Sequence, residues 1–275
     1  VKAGKSTFIM AMVASILRDE PFLERKTQPT PVMYLTEERD PSFRALLERA
    51  GLAGAERVHI LSKTDVQNIP WELVAAMAWQ YAQQVGAGVL VVDTLARWAG
   101  LKDDSENNSG AAMEAMTPLE IAAAKGLAVV IGRHDRKSGG DVGDSGRGSS
   151  AFSGMVDIIL SLRRADAGGH SSRRSLLGVG RFEGVPEQLI VEMRDGEYVP
   201  LGSSFDVEQT EARAKLLDVL PGPNEAPGPM LDELVSTTGS KRSTLQRVLK
   251  RMIDAEHVKK NPGAGITKRG NGYTL

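Results

Sequence analysis

The stretch that decides the fold is the first one, VKAGKSTF, Val1–Phe8. Set against the phosphate-binding pattern G-x-x-x-x-G-K-S/T, Gly4, Lys5 and Ser6 fill the last three places. The pattern's opening glycine falls two places before Val1, and an apolar strand followed by Gly-x is expected upstream. In such a loop Gly4 lets the backbone approach phosphate closely, Lys5 reaches the β- and γ-phosphates, and the Ser6 hydroxyl ligates Mg²⁺. Lys2, Ala3, Gly4, Lys5, Ser6 and Thr7 are therefore the candidate contacts to ATP. The apolar helix expected from FIMAMVASIL would point its N-terminus at the anion. A chance tetrapeptide opening a helix is the alternative. The choice depends on whether matching chemistry lies at strand ends downstream.

Working outward, apolar runs alternate with helical patterns. VMYL (32–35), RVHIL (57–61), GVLVVD (88–93) and LAVVIG (127–132) are short, β-branched and almost uninterrupted, as strands covered on both faces should be. Helices are expected over 6–18, 41–50, 70–85 and 106–125, with Pro41 and Pro70 at positions where a first turn accepts proline. Strands alternating with helices predict an α/β fold with a mostly parallel sheet and helices on both faces. VDIILSLRR, RSLLGVGRF and EQLIVEMRDGEYVPL then read as hairpin strands, an antiparallel extension.

Three constellations carry chemistry at predicted strand ends. Asp93 closes GVLVVD, where a Mg²⁺-associated carboxylate belongs in a phosphate-loop fold; an N-cap aspartate is the alternative. Glu37 and Glu38 follow VMYLT and could polarise the water that attacks a γ-phosphate, or act only as first-turn acids. His134 follows LAVVIGR and could sense the γ-phosphate, or be an exposed loop histidine. The segment 139–150, GGDVGDSGRGSS, has five glycines and reads as a mobile functional loop.

The set GKST, TEE, strand-end Asp and H-x-x-K followed by RGSSAF resembles the RecA-like ATPases. It is most similar to the RepA-type branch of hexameric helicases and replication ATPases of plasmids, phages and mobile elements. The stretches that carry the likeness are YLTEERDPSFRALLERAGL (34–52), DTLARW (93–98) with DDSENNS (103–109), and HDRKSGGDVGDSGRGSSAF (134–152). The resemblance covers roughly residues 1–200. It implies that Lys5 and Ser6 hold phosphate and Mg²⁺, with Asp93 as the second Mg²⁺ partner. The family's catalytic glutamate lies two places after the small hydroxyl residue closing its second strand; Thr36 matches that residue, so Glu38 is implied, with Glu37 in reserve. His134 matches the strand-end sensor. Arg181, in GVGRFEG, falls where an arginine finger reaches the neighbouring subunit's ATP, although Val179 stands where several relatives carry lysine. Lys137 and Arg147 are expected to meet DNA.

The last third reads differently. The domains expected are an ATPase domain over 1–202, a linker over 203–210 and a smaller unit over 211–275. Helices expected over 211–220, 230–237 and 241–255, then two short strands around a glycine-rich turn, give the order of a winged helix-turn-helix. Residues 240–275 hold nine Lys or Arg against Asp254 and Glu256, a charge of +7, which leaves −8 for the rest of a chain whose net charge is −1. With Ser240 as N-cap, Leu245, Val248, Leu249 and Met252 share one helical face. Lys241, Arg242, Arg247, Lys250 and Arg251 fall on the others, and Lys268 and Arg269 on the wing, as a duplex-binding module would place them. A solvated basic face on a protein-interaction module is the alternative.

Composition narrows the classes. The chain lacks cysteine, which excludes a disulfide framework and thiolate metal sites. No apolar run approaches the ~20 residues of a membrane helix, and a cytoplasmic setting is expected. The reading is an ATP-hydrolysing, DNA-associated motor of RepA-like helicase type, binding ATP and Mg²⁺ and self-associating into a ring, expected as a hexamer. Single-stranded DNA would pass through the ring and duplex would meet the winged helix. The alternatives are a DNA-bound recombination or replication mediator that does not unwind, and an ATP-gated transcription regulator.

Overall fold

The computed structural model describes residues 4–101, 108–134, 151–165, 172–222, 228–262 and 271–274. These divide into two compact units, 1–200 and 201–275.

In the first unit the four apolar runs form strands β1 (Val32–Thr36), β2 (Val58–Ser62), β3 (Val89–Asp93) and β4 (Ala128–Gly132), ordered β2-β1-β3-β4. Every pairing is parallel. The central strands β1 and β3 are buried at all five positions, because helices cover both faces. The two-residue period of a strand sorts their side chains. Val32, Tyr34, Val89 and Val91 face α1 (Lys5–Arg18) and α2 (Asp40–Arg49). Met33, Leu35, Leu90 and Val92 pack with α3 (Trp71–Gln84), α4 (Leu95–Trp98) and α5 (Ser109–Ala124). Buried Ala75, Ala78 and Ala82 lie on α3, and Trp71 donates its indole N–H to the Ala115 carbonyl of α5 at 2.9 Å.

After the short helix α6 (Ala151–Gly154), β5 (Ile158–Arg164), β6 (Arg173–Gly180), β7 (Gln188–Arg194) and β8 (Glu197–Gly202) form a sheet ordered β5-β6-β7-β8. The β5–β6 and β6–β7 pairings are antiparallel. The expected antiparallel extension is thus a four-stranded sheet with its own ladders. Asp195 and Gly196, both at positive φ (50° and 91°), make the two-residue turn from β7 to β8, as the sequence Asp-Gly favours. Leu162, Leu176, Val191 and Tyr198 of this sheet pack on Phe8 and Ala11 of α1. The helix that follows GKST is therefore clamped on one side by the parallel sheet and on another by the antiparallel one.

The second unit holds α7 (Ser204–Val219), α8 (Leu231–Thr238), α9 (Arg242–Asp254) and an antiparallel pair, β9 (Lys259–Pro262) with β10 (Asn271–Thr274). Leu216, Leu234, Leu245, Val248, Leu249, Met252 and Tyr273 make its core. Two expectations are corrected. Residues 203–210, read as a linker, begin α7: Ser203 caps it and exchanges hydrogen bonds with Asp206. The N-cap of α9 is Lys241 rather than Ser240, with no side-chain capping bond.

The sheet core should be the most sensitive part of the first unit. Leu90, fully buried at 0% exposure, has no room to relax when truncated, so Leu90→Ala is expected to destabilise the protein by about 2–5 kcal/mol in denaturant unfolding.

Candidate active site

The parallel register sets the site. It aligns Ser62 with Thr36, Thr36 with Asp93, and Asp93 with Gly132, so the carboxyl ends of all four strands finish in one row. In open α/β sheets this edge is where ligands bind. Gly4 is the N-cap of α1, in the left-handed region at φ 91°, and offers no side-chain cap to the helix N–H groups. A side chain there would be strained. With no acid in the first turn of α1, its N-terminus keeps its positive end for an anion.

Lys5 comes 129 residues before His134, yet its Nζ lies 3.2 Å from His134 Nδ1. The loop lysine and the β4-end histidine therefore converge on one point. For the ammonium to donate, Nδ1 must carry the lone pair.

Asp93 is 2% exposed. Tyr34, wholly buried, donates its hydroxyl to Asp93 Oδ2 at 3.0 Å. Burial first, then the Asp93 charge, drives the Tyr34 pKa far upward, so the phenol remains a donor at every working pH. Gly132 matters for the same carboxylate, since a Cβ at this position would come within 2.6 Å of Asp93 Oδ1.

The two glutamates are held differently. Glu37 accepts a hydrogen bond from Thr94 Oγ1 at 3.1 Å, and its backbone N–H donates to the Asp93 carbonyl. Its pKa is raised: burial dominates, the Thr94 bond and Arg97 oppose it, and Asp93 and Glu38 reinforce it. Glu38 donates its backbone N–H to Thr36 Oγ1 at 3.1 Å. Its carboxylate has no hydrogen-bond partner among the described residues and stays available to a water.

The site fits a nucleotide with Mg²⁺. A serine hydroxyl and a buried carboxylate are hard oxygen donors, and Mg²⁺ is commonly held by one or two carboxylates with the substrate's phosphates completing the shell. Ser6 and Asp93 are the residues that would hold it, with Lys5 and the N–H groups of α1 on phosphate. Bound Mg²⁺ would neutralise charge on the phosphates.

Other expected residues lie elsewhere. Arg181 donates to Asp157 Oδ1 and to the Gly154 carbonyl, both at 3.2 Å, and is largely exposed. In the second unit Lys241 pairs with Glu208, Arg242 with Asp232 and Arg251 with Gln209, and Arg247 stacks over Phe205. All four are exposed, as is Lys250. Lys2, Ala3, Lys137, Arg147, Lys268, Arg269 and the segment 139–150 lie outside the described residues. Sequence reasoning missed Tyr34, Thr94 and Gly132. The one available signal was Tyr34 itself, since a tyrosine in a fully buried strand requires a partner.

The raised Glu37 pKa has a measurable consequence. A carboxyl whose folded pKa exceeds its unfolded value binds more protons when folded, so its ionisation weakens the fold as pH rises. Glu37→Gln is therefore expected to melt higher than wild type above neutral pH. The gap should close as pH falls below the ordinary carboxyl range, where Glu37 is protonated in both states. A gap that is constant with pH contradicts the assignment.

A family model described as an AAA domain matches residues 1–140. No curated protein matches the chain. Among solved structures, the fold is similar to a KaiC-like protein from the hyperthermophilic archaeon Pyrococcus horikoshii OT3, at 14% identity and a TM-score of 0.52, over 73% of this chain and 85% of that one. No helix among the described residues is long and apolar enough to cross a membrane. The matched span carries GKST, both glutamates, Asp93 and His134 on a RecA-like α/β fold, and the chain belongs to the AAA-domain family of P-loop ATPases.

Proposed function

We propose that this ATPase is a DNA-associated motor of the RepA-like helicase type, working as a ring, with six subunits as the expected number. The observation that carries the catalytic part is the convergence of Lys5 with His134 at the strand-end row that also holds Asp93, Glu37 and Glu38.

Glu38 is the water-activating base in this reading, and Glu37 helps fix the strand end through Thr94. His134 reads the γ-phosphate: while it contacts Lys5 the lysine is occupied, and a phosphate between them would take both as donors, His134 through a ring N–H. Arg181 acts on the neighbouring subunit's ATP. It is exposed and would exchange its Asp157 contact for that phosphate on ring closure.

The second unit supports DNA association through composition and order. Its three helices and hairpin follow the sequence of a winged helix, and four basic side chains lie on the exposed part of α9, with Lys241 at its N-cap. Because Lys241, Arg242 and Arg251 already have polar partners within the unit and Arg247 stacks over Phe205, Lys250 is the first candidate for phosphate contact. A DNA-bound mediator that hydrolyses ATP without unwinding, or an ATP-gated regulator, uses the same site. Strand displacement separates the motor from both, and duplex-site specificity at low protein concentration identifies the regulator.

Lys5→Ala is expected to abolish ATP hydrolysis; near wild-type turnover sinks the nucleotide site. Glu38→Gln is expected to keep ATP binding and lose ~10²–10⁴-fold in turnover, and the same pattern in Glu37→Gln alone moves the base by one residue.

Arg181→Ala and Lys5→Ala proteins, each inactive alone, are expected to regain part of the activity on mixing, since a mixed interface pairs an intact loop with an intact finger. The loss on removing a finger is ~10³–10⁵-fold where one operates. Full activity in Arg181→Ala alone makes Arg181 a surface residue.

A further inference from the structure

Helices α3 and α5 cover one face of the parallel sheet, and their outer surface is unusually apolar. Leu73 and Met77 on α3 and Met113 and Ile121 on α5 are each more than half exposed. Large apolar side chains gathered on one surface mark an interaction site, whereas single scattered ones do not.

The two helices run side by side in the same direction. Trp71, at the start of α3, donates to the Ala115 carbonyl of α5. About two turns further on, Trp79 lies under Lys125, whose Nζ stands 3.9 Å from the ring centroid. Between the helices is a groove of about 450 Å³, kept open by Ala75, Ala76 and Ala122. Its charges are segregated along its length. Glu72 and Glu114 stand at the end marked by the Trp71–Ala115 bond, and Lys125, the C-cap of α5, stands at the other. All three are exposed, and none of them is in an ion pair among the described residues. The Trp79 indole N–H is buried and has no acceptor there, which leaves a desolvation cost uncompensated.

A groove with acids at one end and a cation at the other is complementary to itself turned end for end. A two-fold axis standing on its midpoint lays the same face of a second copy antiparallel on this one. The second copy's Lys125 then meets Glu72 and Glu114, and its Glu72 and Glu114 meet Lys125. Burial of the exposed apolar side chains supplies the attraction. The charges set the direction, because a parallel arrangement would oppose acid to acid. The incoming carboxylates also arrive on the Trp79 side of the groove, where an acceptor is needed.

We propose that the α3–α5 face is a docking surface for a second copy of this chain, joined by a two-fold axis and separate from the contact that carries Arg181. A two-fold contact closes on two copies and builds no ring, so the inference stands apart from the ring reading.

The test is the mass of the full chain in solution, measured by sedimentation velocity over a concentration series without nucleotide. Lys125→Glu, and the double variant Glu72→Lys with Glu114→Lys, each set like charges against each other across the axis. Each is expected to weaken the pairing ~10-fold or more in Kd, and wild type is expected to reach twice the mass that either variant keeps. Mixed one to one, the two reversed proteins are complementary at both ends of the groove, and the mixture is expected to regain the doubled mass. Ile121→Glu puts a charge into the contact and is expected to keep the lower mass in any mixture. These side chains are exposed, so the melting temperature of the unpaired chain should hardly change.

A wild type no heavier than the variants overturns the second copy as the occupant. An assembly that every variant leaves intact belongs to another surface, the Arg181 contact included, and overturns this one. A mixture that fails to regain the doubled mass overturns the antiparallel pairing.

Discussion

The site depends on one constraint, the register of the parallel ladder. Thr36 pairs with Asp93 and Asp93 with Gly132, and a slip of one residue would turn Asp93 from the α1 side of the sheet to the α5 side. The register is fixed by burial on both faces. Val32, Tyr34, Val89 and Val91 must meet α1 and α2, while Met33, Leu35, Leu90 and Val92 must meet α3 and α5. The same apolar alternation that stabilises the domain thus delivers a buried carboxylate to the edge where α1 begins.

Around this edge each polar side chain is restrained by a different device. Asp93 is restrained by the Tyr34 hydroxyl, Glu37 by Thr94, and Lys5 by His134. Glu38 alone is anchored only through its backbone. The arrangement separates groups that define geometry from a group left free to take a proton. Local dielectric supports the division: burial raises the Glu37 pKa, whereas the Glu38 carboxylate is left unbonded where water would arrive.

Strands and long helices were legible because their pattern is local. Each of the four apolar runs became a strand within a residue or two of its expected ends. What escaped falls into two kinds. LARW is too short to show a helical period, so α4 could not be read. Residues 203–210 look polar enough for a linker, yet Ser203 and Asp206 form the S-x-x-D signature of a helix start. The partnerships of the site lay out of reach for a different reason. Tyr34 is 59 residues from Asp93, and Lys5 is 129 from His134. The residue types announced a need for partners, but only the folded sheet chooses them.

Gly132 carries an implication for how such a sheet can change. Its missing side chain is the space that Asp93 Oδ1 occupies, 2.6 Å from where a Cβ would stand. The neighbouring strand therefore contributes to the acid by omission, and the two positions can only drift together. Any heavier residue at 132 would displace the carboxylate, while a shorter residue at 93 would leave a polar void beside the glycine. For anyone redesigning this edge to take another cation or another phosphate chain length, positions 93 and 132 form a single variable.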